Sequence, residues 1–485
     1  MAQSESSRLG LLDTMFLYGE RPETMMHVAS LMPFVPPDDA PASYLRDIIE
    51  EARRDPAVQP PWNRKLRHSR LVASPLQSWV VDEDFDIDYH LRRSALASPG
   101  DERELGVLVS RLHSNPIDLT RPPWEMHLIE GLEGGRFAIY TKMHHSLVDG
   151  YTGVRLMARS LSTDPDERGK PLFFSIPPRA RARRATPEDD GGALADLGTL
   201  ARAVAGQAGS VVTLTKRIVG PVLRRGRHPD LVNLPQAPRS ILNRRIGRNR
   251  RFATQQYELA HLKRLGGPYG ATINDVVLAI VGGGLRRFLS ELGELPDAPL
   301  VAFLPVNVRP KGDEGGGNAV GAILATLASD VEDPVERLRR IRASTRSAKA
   351  QLEGMTQEAI LAYSAYLLAP GGLQALGALA GIHPPLPIAF NVCVSNVPGP
   401  REPLYLRGSR MEAYYPASIP IHGMALNVTV LSYAGTLNVG FIGDRDALPH
   451  LQRLAVHTGD ALAELDAAAG VKPASGRSRR TRAAR

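Results

Sequence analysis

Two adjacent histidines followed by an aspartate and a glycine, His144, His145, Asp149 and Gly150 of the string HHSLVDG, are the residues of this chain best suited to chemistry. A free imidazole titrates at about pH 6.5, so it can take a proton near neutrality and return it, as a general base must. An aspartate four residues after His145 either holds that ring's tautomer or braces the loop against a basic residue elsewhere. Metal binding fits poorly, because the fourth ligand is unnamed and HExxH is absent. No resident metal or cofactor is expected.

The elements around the motif decide which histidine is placed to act. Phe137 to His144 has strand character, and side chains along a strand alternate between faces. His144 and His145 therefore cannot both face one site while the strand continues. One does chemistry and the other is structural. Ser146 to Gly150 read as a turn, and Val154, Met157 and Leu161 recur at helical spacing within Thr152 to Leu161.

Farther along, Phe252 to Leu259 is strand-like, Asn274 to Leu292 helical and Leu300 to Val308 strand-like. Asn274-Asp275 opens the helix, where either residue makes a good N-cap. Gly282-Gly283-Gly284 interrupts that helix, at about 1 kcal/mol per glycine relative to alanine, so a close approach by another backbone is expected. Gly315-Gly316-Gly317-Asn318 lacks the GxxxxGK[ST] pattern and is not a phosphate loop. No Asp, Glu, Lys or Arg occurs between Glu358 and Arg401, a stretch that suits a tunnel lining, a lipid contact or a buried helix pair before a strand at Ile388 to Val394.

At 485 residues the chain is too long for one small binding module. It divides into 1–165, a mixed α/β unit; 166–251, a basic, partly helical connection; 252–470, a second α/β unit; and 471–485, a basic tail. The net charge of +8 is concentrated in the connection and the tail. Residues 179–251 hold 16 Lys/Arg against 5 Asp/Glu, and residues 471–485 hold 6 Lys/Arg and no acid, leaving the rest net acidic. No aromatic residues interleave the arginines, which argues against nucleic acid. Phosphate groups or anionic lipid heads remain suitable partners. One cysteine permits no internal disulfide and suits a reducing, cytoplasmic setting. The first residues read as no signal peptide, and no uncharged run reaches the roughly 18 residues of a membrane span without a Pro or Gly break. Any membrane association is expected to be peripheral.

The string HHSLVDG matches the HHxxxDG signature of acyltransferases with a chloramphenicol-acetyltransferase-like fold, a group that includes condensation domains of peptide synthetases. Within that group the chain resembles the bacterial bifunctional wax ester synthase/diacylglycerol acyltransferase family over nearly its whole length. The resemblance runs in order through LLDTMFLYGE, MHVASLMPF, DLTRPPWEMHLIEGL, TINDVVLAIVGGGLRRFL, PVNVRPKGDEGGGNAVGAILATLA, SNVPGP and ALNVTVLSYAGTLNVGFIGD. One departure is Pro123, where the family usually has Leu in a Pro-Leu-Trp element; Trp124 is kept, so an altered turn is expected rather than lost activity.

The resemblance implies an α/β (mixed α+β) fold of two such subdomains, with mostly antiparallel sheets flanked by helices and an active-site tunnel between them. It implies His145 as the general base, taking the proton of an alcohol as its oxygen attacks the thioester carbonyl of acyl-CoA, the co-substrate. By the same carry-over Asp149 becomes a loop brace with Arg309 as its salt-bridge partner, His144 and Gly150 support the motif, and Asn274-Asp275 lies near the channel. The residues agree with direct transfer. GxSxG is missing, Ser146 is a poor nucleophile in a loop, and Cys393 reads as a small buried apolar residue.

The acceptor implied is diacylglycerol, a long-chain alcohol or both, with the enzyme held at an anionic membrane or lipid-droplet surface. Two other functions share these features. One is condensation on carrier-bound substrates, against which the absence of carrier and adenylation segments counts. The other is a non-catalytic lipid-binding protein using the same cavity.

Overall fold

The computed structural model describes residues 7–9, 11–54, 56–69, 72, 77–148, 150–176, 230–234, 236–307, 320–356, 359–360, 362–364, 366–368 and 388–471. Most of the 166–251 connection and the tail beyond residue 471 lie outside this set.

The first lobe runs β1 (Ser7–Arg8), α1 (Leu11–Gly19), β2 (His27–Val35), α2 (Tyr44–Arg54), β3 (Arg64–Leu66), β4 (Ser78–Val81), α3 (Ile87–His90), β5 (Leu91–Ala95), α4 (Glu102–His113), β6 (Trp124–Leu132), β7 (Arg136–His144) and α5 (Gly150–Arg159). The second runs β8 (Arg250–Glu258), α6 (Leu259–Gly266), α7 (Ile273–Glu291), β9 (Val301–Asn307), β10 (Val320–Thr326), α8 (Pro334–Leu352), β11 (Val392–Val397), β12 (Tyr405–Leu406), β13 (Ser409–Met411), β14 (Tyr415–Ala417), β15 (Leu426–Tyr433), β16 (Thr436–Asp444) and α9 (Gln452–Ala469).

Two large, mostly antiparallel sheets organise most of these elements, and β1, β4 and β3 form a small third one. The first has order β12-β13-β2-β7-β6-β5, with β14 also on β2; the second has order β10-β9-β11-β15-β16-β8. Strand β7 is buried along its whole length, because both of its faces are covered. Phe137, Ile139 and Met143 pack with Trp124, Met126 and Leu128 in one core. On the other face Ala138 and Tyr140 meet Leu105, Val109 and the second lobe's Phe252 and Ile442. Such double coverage holds the end of β7, and hence the histidine pair, on rigid material.

The sequence division placed everything from 252 to 470 in the second unit. Residues 405–417 instead complete the first sheet: β13 pairs with β2 at Arg410–Val35, and β14 pairs with β2 at Tyr415–Leu31. The lobes also meet where α4 covers the outer edge of β8. The Ser114 and Ser110 hydroxyls accept the backbone N–H groups of Arg250 (2.8 Å) and Phe252 (2.9 Å), donors that an edge strand otherwise leaves unpaired. At Gly440 of β16 the first lobe's β14 comes so close that a Cβ would lie 1.7 Å from the Pro416 carbonyl oxygen.

The triple glycine of α7 has the expected cause. A Cβ at Gly282 would sit 2.3 Å from the Leu327 carbonyl oxygen, while Gly283 and Gly284 face Arg337 and Thr458. The cap of this helix differs from the sequence reading. Thr272 is the N-cap and Asp275 occupies the third helical position, in a reciprocal capping box.

Candidate active site

The turn after β7 separates the two histidines as strand alternation requires. His144 is 1% exposed and lies at the strand end, where its N–H donates to the Pro123 carbonyl at 2.9 Å. Pro123, the departure in the Pro-Trp element, thus contributes a carbonyl that pins the motif. The Ser146 backbone N–H points at His144 Nδ1 (3.2 Å) and the Ser146 hydroxyl lies 2.6 Å from the same nitrogen. A backbone donor makes Nδ1 the acceptor, so in the neutral ring the proton sits on Nε2. That nitrogen faces Glu20 Oε2 at 3.4 Å. His144 is thus buried and held through Nδ1, while its Nε2 faces Glu20 without a hydrogen bond.

His145 is half-buried, and its ring lies against Phe16 of α1 with centroids 4.0 Å apart and planes 21° apart. Its backbone N–H donates to the Met26 carbonyl at 2.8 Å, one step beyond the β2–β7 register pair His27–His144. Glu20 closes the loop from the other side by accepting the Met26 N–H at 2.6 Å. Segment 16–26 consequently touches both histidines.

Beneath His144, on the same face of β7, lies a buried network. Lys142, 1% exposed, donates to the carbonyls of Leu112 (3.1 Å) and Asn115 (2.9 Å) and faces Glu125 at 3.4 Å. Lys142 thereby serves one carbonyl in the last turn of α4 and one just beyond the helix. Burial alone would raise the Glu125 carboxyl, but the hydrogen bond with His127 and the charges of Lys142 and Arg92 together bring it down to about 2. Burial, reinforced by the charge of Lys142, pulls His27 and His113 well below the usual imidazole range. His113 Nδ1 meets the Tyr140 hydroxyl at 2.8 Å and His27 Nε2 meets the His113 carbonyl at 3.1 Å, so each ring is held by hydrogen bonds in the interior.

The remaining sequence-derived residues divide clearly. Gly150 opens α5, and among the described residues nothing lies within 4 Å of where a Cβ would stand. Asp275 is buried with both oxygens committed: Oδ2 accepts from the Thr272 N–H (2.8 Å) and hydroxyl (2.7 Å), and Oδ1 from the Thr345 hydroxyl (2.7 Å). Its side chain fixes the start of α7 against α8. Asn274, beside it, is half-buried. Asp149, Arg309 and their expected pairing lie outside the described residues. Both alternative nucleophiles are buried: Ser146 is 4% exposed, with its hydroxyl 2.6 Å from His144 Nδ1, and burial pushes the Cys393 thiol up to about 12. Glu20, Phe16 and Arg250 were not picked out from the sequence, because nothing local ties residues near position 20 to position 145.

Comparison with known proteins identifies the family. The wax ester synthase/diacylglycerol acyltransferase catalytic domain matches residues 9–277, and the WS/DGAT C-terminal domain matches residues 316–466. A Mycobacterium tuberculosis protein named as a diacylglycerol O-acyltransferase is 59% identical, over 96% of this chain and 98% of its own. The O-acyltransferase WSD of Acinetobacter baylyi is 39% identical, over 92% and 94%. Among solved structures, the wax ester synthase/diacylglycerol acyltransferase from Marinobacter aquaeolei VT8 superposes with a TM-score of 0.76 at 36% identity, covering 96% of this chain and 100% of the other. The first condensation domain of the CDA synthetase shares the fold alone, at a TM-score of 0.54 and 16% identity. With two sheet-bearing lobes, the HHSLVDG turn and matches along almost the entire sequence, the chain belongs to the wax ester synthase/diacylglycerol acyltransferase family.

Proposed function

We propose that the protein transfers a fatty acyl group from acyl-CoA to the hydroxyl of diacylglycerol, of a long-chain alcohol or of both, with His145 as the general base. The observation that carries this reading is the division of labour in the motif. His144 is consumed by Ser146 and sits opposite Glu20, whereas His145 is half-buried, pinned through its N–H and stacked on Phe16. His145 takes the hydroxyl proton as the alcohol oxygen bonds to the thioester carbonyl carbon. The tetrahedral intermediate then collapses with cleavage of the C–S bond, and the imidazolium returns the proton to the leaving CoA sulfur. The burial of Ser146 and of Cys393, away from an acyl donor, supports transfer without an acyl-enzyme. Both substrates then have to be present together, in a tunnel between the lobes, where orientation supplies much of the rate. Asp149 braces the catalytic loop in this reading, with Arg309 as its partner, and Asn274 holds the channel wall.

No described helix is long and apolar enough to cross a membrane. The basic segments 179–251 and 471–485 support peripheral attachment to an anionic membrane or lipid-droplet surface, where apolar acceptors are concentrated.

His145→Ala is expected to lower turnover of palmitoyl-CoA by about 10²–10⁴-fold, the usual contribution of a general base. Product analysis with hexadecanol and dioleoylglycerol offered together identifies the acceptor. Wild-type turnover in the variant removes His145 as the base, and absence of turnover in the unaltered protein leaves a lipid-binding role.

A further inference from the structure

Arg250 is the first residue of the second lobe's sheet, and its side chain is almost wholly buried, with the residue 2% exposed. A buried guanidinium is costly unless its donors are used. Its Nη1 donates to the Gly247 carbonyl at 2.7 Å and lies 3.7 Å from Asp444 Oδ2, while Nη2 donates to the carbonyl of Glu23 in the first lobe. Asp444 does not depend on this partner. Its oxygens already accept from the backbone N–H groups of Gly247 (2.8 Å), Asp446 (3.1 Å) and Ala447 (2.7 Å). Arg250 itself supplies the bond across to Glu23.

Glu23 lies in a tightly self-bonded turn. Arg21 and Thr24 exchange backbone hydrogen bonds, the Thr24 hydroxyl donates to the Gly19 carbonyl at 2.8 Å, and the Glu20 carboxylate takes the Met26 N–H. One end of this turn is Met26, whose carbonyl holds the His145 N–H; the other is α1, whose Phe16 carries the His145 ring. We propose that Arg250 is a positioning residue for acyl transfer, fixing from the second lobe the turn that sets the orientation of His145. The proposal rests on the reading of His145 as base. A base displaced by about 1 Å can lose on the order of 10² in rate, so a single remote tether matters.

The test uses the full chain with palmitoyl-CoA and hexadecanol, kcat being counted per folded molecule from melting curves. Arg250→Lys keeps the charge but loses the fork that spans Gly247 and Glu23. It is expected to lower kcat about tenfold with KM for palmitoyl-CoA within about twofold. Arg250→Gln, shorter and uncharged, is measured alongside and is expected to lose more. Phe16→Ala should lower kcat comparably, and because both act through one turn, the double variant should fall no further than about the worse single one. Wild-type kcat in both Arg250 variants, a loss carried by KM, or effects that multiply would overturn the proposal. His145→Ala separates the two claims. If it abolishes turnover while the Arg250 variants keep theirs, only the tether fails; if it retains turnover, the base assignment fails and the tether with it.

Discussion

At the scale of single residues, the interior around β7 stores a response to acid. Burial brings His90 down to about 4, and it lowers His127 and, more strongly, His27 and His113. In the unfolded chain these rings bind protons near 6.5, whereas in the folded chain they do not until lower pH. Between about 6.5 and 4 the unfolded state therefore holds more protons, and stability falls as pH falls. Glu125 has the same sign in a lower window, between its ordinary 4.5 and about 2. The urea midpoint should decline steadily from pH 7 to pH 4, and one that stays flat from pH 7 to pH 5 would contradict the buried-imidazole account. This sensitivity belongs to the fold.

At the scale of elements, the contact between β14 and β16 is the tightest test of how the lobes fit. Gly440→Val places a side chain where the Pro416 carbonyl already sits, and backbone has little freedom to retreat. A loss of about 3 kcal/mol or more is expected in chemical denaturation, at the upper end for overpacking. An unchanged midpoint would mean that β14 can move aside. Regular elements were largely legible from local pattern. The strand expected over Phe252 to Leu259 spans Arg250–Glu258, and the helix expected over Asn274 to Leu292 spans Ile273–Glu291. Strand alternation also separated His144 from His145. The cap at Thr272 was missed because Thr, Asn and Asp all cap well and stand almost side by side. Residues 405–417 were missed for a different reason, since pairing with β2 is set by partners far away in sequence. The same distance hid Glu20, Phe16 and Arg250, whose roles exist only once the chain has folded back on itself.

At the scale of the whole molecule, the charge division frames the proposed peripheral attachment. If the basic segments hold the protein to lipid, flotation with vesicles containing phosphatidylserine should weaken as salt rises, since exposed charges are screened beyond about 10 Å at 0.1 M. Removing residues 471–485, or replacing arginines between 179 and 251 other than the buried Arg250 by glutamine, should weaken it further. Flotation indifferent to both changes would place any lipid contact elsewhere.

The return of residues 405–417 to β2 also sets a condition on synthesis. Strand β2 is complete by Val35, yet its partner β13 does not begin until Ser409. During translation the growing polypeptide must carry that open border across most of its length before the closing ribbon leaves the ribosome. An unpaired strand border invites association with other chains, and late, distant pairing slows folding. Truncated products ending before residue 405 would keep the histidine motif but lack the ribbon that seals its sheet, which makes them candidates for chaperone capture or aggregation rather than for independent activity.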